Sequence, residues 1–325
     1  MREGKLELVG GGGWPSMAGM LSLLRFSALL LFALPCFAAP GGVVVKKDLA
    51  YADTDDPHQM LDLYLPEKRK EADKPLPLVI YIHGGAWRSG DKSQAKGLMT
   101  GLVAGGEYAA ASIAYRFTDQ QPWPAQIHDC KAAVRYLRAH AKEYGLDADR
   151  FAATGVSAGG HLALLIGLDG GSRTLEGDLG ATPQESSKVT CVADWFGPVQ
   201  LETMTWPGAM FKGREAIDPQ DELFGKSPEK RLELQRQASP VTYITPDDPP
   251  VFIAHGTVDP LVPFSQAELL NERLERAKVP VYLEKMEGGG HGFSSEELHK
   301  RLAAFLGRYL RGTKEEIPVT PIPVK

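Results

Sequence analysis

Five segments of this 325-residue chain are near-continuous apolar runs: "LPLVIYIHGG", "YAAASIAYR", "RFAATGVS", "VTCVADWFG" and "PPVFIAHG". A strand that alternates apolar and polar residues can face water on one side, whereas a strand apolar along its length must be covered on both. Helical patterning follows most of these runs, over Ala125 to Tyr144, Ala158 to Leu168 and Ser265 to Ala277, and over Glu296 to Leu310 after a sixth run, "VPVYLEKME". Strands alternating with helices require crossover connections. The spacing therefore predicts an α/β fold with a mostly parallel central sheet flanked by helices. Upstream, "GGVVVKKDLAYA" and "MLDLYLPE" are short, rich in β formers and separated by turn residues from Asp53 to Pro57, which predicts an antiparallel pair.

The alternation breaks between about Gly197 and Tyr243. A connection this long inside a compact domain is expected to be a functional insertion, here helical and lid-like. At the carboxyl end, the proline spacing of "KEEIPVTPIPVK" forbids a helix. Residues 313–325 are expected to be an extended or disordered tail behind a single catalytic domain of residues 40–312. Residues 1–39 differ from the rest. "MLSLLRFSALLLFALPCFAAP" has one Arg, a run from Phe26 to Phe37 that is apolar but for Ser27, and then small residues. This reads as a secretory signal peptide with translation starting at Met17 or Met20 and cleavage near Ala38 or Ala39; the alternative is an uncleaved anchor. A secreted or periplasmic protein with no stable membrane span after cleavage is expected. Of the two cysteines left, Cys130 shares a helical stripe with Ile127, Val134 and Leu137, and Cys191 lies in an apolar run, so both are expected to be buried and free. The formal charge of −5, with both signs interspersed, offers no basic stripe to nucleic acid.

"GVSAGG" follows the strand run "RFAAT" and opens the helical pattern "AGGHLALLIGL". G-x-S-x-G is common by chance in a glycine-rich chain, but a strand–turn–helix setting is what a nucleophile elbow needs. Ser157 is the candidate nucleophile, and the amide of Ala158 at the helix start is a candidate oxyanion donor. A serine hydroxyl needs a base, and the base needs a carboxylate. His291, in "MEGGGHGF" after the last strand run, and Asp259, in "VFIAHGTVDPLVP" after the preceding one, both fall at strand ends. Asp194, ending "CVAD", is the alternative acid. The rival histidines have plainer settings: His161 one helical turn past Ser157, His255 at a strand end as a core residue, and His58, His128, His140 and His299 in polar or helical stretches.

"YIHGGAWRSGDK" supplies the opposite wall. Gly84 and Gly85 allow the backbone to turn amides of Gly85 and Ala86 toward Ser157, with His83 bracing the loop. Trp87, Trp195 and Trp206 fall at strand ends or in the insertion and are candidates to line an apolar or aryl substrate pocket. No Cys or His spacing suits a metal, and the chemistry calls for no cofactor.

"HGGAW", "GVSAGG", "HGTVDPLVP" and "GGGHGF", in this order, resemble the α/β-hydrolase superfamily. Within it they are similar to the bacterial carboxylesterase and feruloyl-esterase-like group, related to the hormone-sensitive-lipase-like esterases. The resemblance runs from Val43 to Leu310 and takes in "LDLYLP" and "LFGKSPE…QASPVTYI". It implies a secreted carboxylic ester hydrolase with Ser157, Asp259 and His291 as its triad, acting on short-chain, acetyl, aryl or feruloyl esters, small or polysaccharide-linked. Two positions depart from the hormone-sensitive-lipase pattern: Val156 stands where an Asp is usual, and Ala86 where a third Gly is. An amidase, formamidase or serine peptidase on the same scaffold, or an inactive binding protein, are the competing readings.

Overall fold

The computed structural model describes residues 41–71, 74–169, 171–204 and 218–324. Among these, nine strands form one sheet: β1 (Val43–Ala50), β2 (Met60–Pro66), β3 (Leu76–Ile82), β4 (Ala109–Ile113), β5 (Leu146–Val156), β6 (Cys191–Trp195), β7 (Val251–Gly256), β8 (Val281–Glu287) and β9 (Ile322–Pro323). Their spatial order is β1-β2-β4-β3-β5-β6-β7-β8-β9. The pairs β1/β2 and β2/β4 are antiparallel, and every pair from β4/β3 to β8/β9 is parallel.

The apolar runs are explained by burial on two faces. Along β3, Leu78, Ile80 and Ile82 enter one core, while Val79 and Tyr81 enter cores on the other side. In β7, Val251 and Ile253 face the first core, and Phe252 and Ala254 the second. Helices close both sides. Met99 and Val103 of α1 (Lys96–Val103) pack on the second face, as do Leu298, Leu302 and Phe305 of α9 (Glu296–Leu306). The first face is covered by α2 (Ala125–Ala139), α3 (Ala141–Tyr144), α4 (Ala158–Leu168), α5 (Arg173–Glu176) and α8 (Ser265–Ala277). Two insertion helices, α6 (Pro219–Phe224) and α7 (Pro228–Gln237), add Leu223, Phe224 and the partly buried Leu234 to that core. No described helix is long and apolar enough to cross a membrane.

Four expectations are corrected, narrowed or fall beyond the described residues. The single helix expected over Ala125 to Tyr144 is broken at His140, whose Nδ1 lies 2.8 Å from the Tyr136 carbonyl oxygen, between α2 and α3. The tail is ordered, extended chain: Ile322 and Pro323 pair with Met286 and Glu287 of β8, and Ile322 is buried. Arg301 holds it there, donating from its guanidinium to the carbonyls of Pro318 and Thr320 at 3.1 and 2.7 Å while pairing with buried Glu284 at 2.6 Å. The sheet therefore extends past residue 312. The expected signal segment and the Trp206 stretch fall outside the described residues.

The sheet collects one set of residues at one edge. β3 leads to β4 on one side and lies against β5 on the other, so the strand order reverses at β3/β5, the usual place for a ligand in such a sheet. Register does the rest: Ile82 pairs with Gly155, Val156 with Trp195, Trp195 with Ala254, and Gly256 with Met286. The residues just beyond these pairs all emerge at the carboxyl edge.

Candidate active site

Ser157 lies between β5 and α4 with φ 54° and ψ −120°, a conformation that costs an L-residue about 1–3 kcal/mol and persists only when its neighbours enforce it. They do so from both sides. The Ser157 amide donates to the Trp195 carbonyl at 2.8 Å, and its own carbonyl accepts from the His161 amide at 3.0 Å. The turn brings α4 so close to β3 that a Cβ on Gly159 would sit 2.1 Å from the Ile82 carbonyl oxygen, so no other residue fits there.

The three residues expected to act together come together. His291 Nε2 lies 3.0 Å from Ser157 Oγ, and His291 Nδ1 lies 2.7 Å from Asp259 Oδ2. Asp259 is fixed in turn: its Oδ1 accepts from the amides of Leu261 and Val262 at 2.8 and 3.0 Å. Burial would raise this carboxyl, but hydrogen bonds from His255 and His291 and the Leu261 amide hold it well below the usual carboxylate range. The loops that carry the two residues are laced together, with the Thr257 amide donating to Met286 and the Val258 amide to Gly289. Phe196, also at positive φ (47°), sets its ring against His291 with centroids 4.6 Å apart. The sequence reading passed over Phe196, which nothing but its place at the end of β6 distinguishes.

Asp194, the alternative acid, is elsewhere. It is buried behind the elbow, where its Oδ1 accepts from the Gly197 amide at 3.0 Å, and burial raises its carboxyl well above the ordinary range. His161 is a packing residue that joins three segments. Its Nδ1 accepts from Trp87 Nε1 at 3.2 Å, and its Nε2 lies 2.6 Å from the Ala238 carbonyl oxygen at the end of α7.

The loop after β3 runs through consecutive positive φ values: 120° at Gly85, 53° at Ala86 and 59° at Trp87. Only glycine fits at Gly85, where a Cβ would lie 1.9 Å from the Ser89 carbonyl oxygen. The amides of Arg88 and Ser89 both donate to the Gly85 carbonyl, closing the turn. Among the described residues, no backbone carbonyl takes the amides of Gly85, Ala86 or Ala158. His83 braces the loop: its Nδ1 lies 2.8 Å from the Gly84 carbonyl oxygen, its ring stacks on Tyr115 at 4.4 Å, and burial lowers it to about 4.

Two pocket expectations are corrected. Trp87 has no exposed surface; it packs edge-on against His161 at 5.2 Å and supports the loop from inside. Trp195 is 3% exposed, with its ring beside Phe293 and its carbonyl on the Ser157 amide. Both are large apolar residues at strand ends, and the space under the loops needed filling more than the site needed lining. The insertion docks on the loop side through Glu222, paired with Arg88 at 3.3 Å, and through Gln237, which accepts from Trp123 Nε1 at 2.9 Å.

A reversed-order parallel sheet with a strained serine on a strand–helix turn, and a histidine and an aspartate from the last loops beside it, define the class: an α/β-hydrolase. A family model, BD-FAE, matches residues 61–274, and the chain belongs to the BD-FAE family of α/β-hydrolase esterases. It is 34% identical over 245 residues to Esterase LipC of Mycobacterium tuberculosis (strain ATCC 25618 / H37Rv), covering 74% of this chain and 58% of that protein. It is 32% identical over 225 residues to the probable carboxylic ester hydrolase LipM of the same strain, covering 67% of this chain and 49% of that one. The chain thus spans 58% and 49% of the length of these two curated relatives. Among solved structures, a truncated form of a carbohydrate esterase from gut microbiota aligns with a TM-score of 0.73 at 30% identity, covering 82% of this chain and 96% of the other.

Proposed function

We propose that this protein is a secreted carboxylic ester hydrolase that works through a Ser157–His291–Asp259 triad and an acyl-enzyme. The observation that carries the reading is the pair of contacts on one imidazole, 3.0 Å to Ser157 Oγ and 2.7 Å to Asp259 Oδ2. Asp259, an acceptor at both oxygens, requires the hydrogen of His291 on Nδ1, which leaves Nε2 as the base facing the hydroxyl. Ser157 Oγ attacks the ester carbonyl as His291 takes its proton. The tetrahedral oxygen's charge is met by the amides of Ala158, Gly85 and Ala86, which no backbone carbonyl takes among the described residues. His291 returns the proton to the departing alcohol, and water, activated by the same imidazole, releases the acid.

For the substrate, the carbohydrate esterase among the structural relatives favours acyl groups carried on a sugar or polysaccharide, acetyl or feruloyl, over long-chain lipids. Trp87 and Trp195 are buried, so the acyl-binding surface is assigned to the loop ends around the partly exposed His291 instead. The apolar run of residues 26–37 supports secretion.

The test is hydrolysis of p-nitrophenyl acetate, methyl ferulate and acetylated xylan by the intact protein and by Ser157→Ala. The variant should lose at least about 10³-fold in kcat with little change in KM. Full activity in Ser157→Ala, or no turnover of any ester by the intact protein, would sink the reading.

A further inference from the structure

His255, the penultimate residue of β7, stands four residues before Asp259, is completely buried, and takes no part in the steps above. Its Nε2 lies 2.9 Å from the Val262 carbonyl oxygen and 3.4 Å from Asp259 Oδ2. A carbonyl oxygen only accepts, so Nε2 carries the hydrogen, and its N–H points into the notch between carbonyl and carboxylate. The shorter distance makes Val262 the main partner and Asp259 the second. Nδ1 is buried with no hydrogen-bond partner among the described residues. A bare ring nitrogen in the interior is costly, and an apolar side chain would avoid the cost. What only the histidine provides is the N–H on Asp259. Phe196 and Phe264 enclose its ring edge-on, with centroids at 6.4 and 5.7 Å.

We infer that His255 is a positioning residue for the acid of the triad: its Nε2–H, held by Val262, is a second ring donor to the carboxylate oxygen that orients His291. The inference rests on the triad reading. Asp259 Oδ1 is pinned by two amides, and His255 Nε2 stands 3.4 Å from Oδ2, which narrows the directions open to the bond with His291. The same N–H draws charge from Oδ2, so that without it Asp259 favours a protonated His291 more strongly. Among the described residues, the titratable groups recorded against Asp259 are His255 from β7 and His291 from the loop after β8. The end of β6 and the residue before α8 bring Phe196 and Phe264, which carry no charge.

Two variants separate positioning from bulk. His255→Phe keeps the ring and removes the donor; His255→Gln sets an amide N–H near the place of Nε2. Rates on p-nitrophenyl butyrate, measured from about pH 5 to about pH 9 and scaled to sites titrated with a phosphonate ester, give kcat and the pH profile. The Phe variant should lose about tenfold in kcat with KM little changed, and the acid limb of kcat/KM should move up by about half a pH unit. The Gln variant should recover most of kcat and return the limb. An acid limb that stays in place in His255→Phe overturns the inference, whatever happens to kcat, provided Ser157→Ala is inactive; an active Ser157→Ala overturns the triad reading instead. Should His255→Phe fail to fold, ¹⁵N-histidine NMR of the intact protein decides. The His255 ring should carry its hydrogen on Nε2, with a resonance that shifts in Asp259→Asn, and a ring protonated on Nδ1 or blind to that change overturns the proposal.

Discussion

At Ser157, a φ of 54° is tolerated because the Trp195 carbonyl and the His161 amide grip the residue on both sides. The histidines around it divide by environment. His291 keeps some contact with solvent, whereas His83 and His161 are fully buried, and burial lowers both from 6.5 to about 4. The direction of the consequence follows. As pH falls through 6.5, the unfolded chain binds protons on these two rings and the folded protein does not until about pH 4. Their contribution is intact above pH 6.5 and lost between 6.5 and 4, with a slope of up to about 1.4 kcal/mol per pH unit per ring. Urea unfolding should therefore show a midpoint that drops from pH 7.5 to pH 5, and His161→Gln should flatten the drop; a midpoint independent of pH in the intact protein contradicts this. The serine, the histidine and the aspartate were legible because each stands at a strand end among glycines. The tryptophans misled because residue type does not say whether a loop needs support beneath it or a wall above it, and Trp87 turned out to lie beneath.

Among the elements, the strands were the most legible, since a parallel sheet leaves no face for polar residues. The α1 helix escaped notice because Gly97 and Gly101 blur its pattern, leaving Met99 and Val103 as its buried residues. The tail escaped for a different reason. Pro318, Pro321 and Pro323 cannot donate to a ladder, yet an edge strand needs only some of its amides, and Val324 supplies one to the Glu287 carbonyl at 2.9 Å. The decisive partner, Arg301, is on α9 and far from obvious in sequence. Burial pushes Glu284 up to about 7 even with Arg301 beside it, so the pair depends on the carbonyls the tail provides to the guanidinium. Truncation after Gly312 removes those carbonyls and uncovers the pocket of Ile322. Set against the chain entropy regained, the loss should be about 2–3 kcal/mol, or roughly 3–5 °C in Tm. An unchanged Tm by circular dichroism would show that the tail merely rests on β8.

On the scale of the whole molecule, function depends on the sheet's register. Five neighbouring parallel strands end level, so the loop of Gly85 and Ala86, Ser157, Phe196, Asp259 and His291, separated by up to some two hundred residues of chain, meet at one edge. The insertion is tied to this edge through Arg88–Glu222 and through His161 to Ala238, coupling its docking to the loop that carries Gly85 and Ala86. In the proposed mechanism one serine, activated by His291, forms the covalent acyl intermediate. Treating the intact protein with a p-nitrophenyl phosphonate and locating the adduct by mass spectrometry tests it most directly. The account predicts one phosphonyl group per chain, on Ser157, formed in step with loss of esterase activity and absent from His291→Ala on the same timescale. An adduct on any other residue, or undiminished hydrolysis by fully labelled protein, would contradict it.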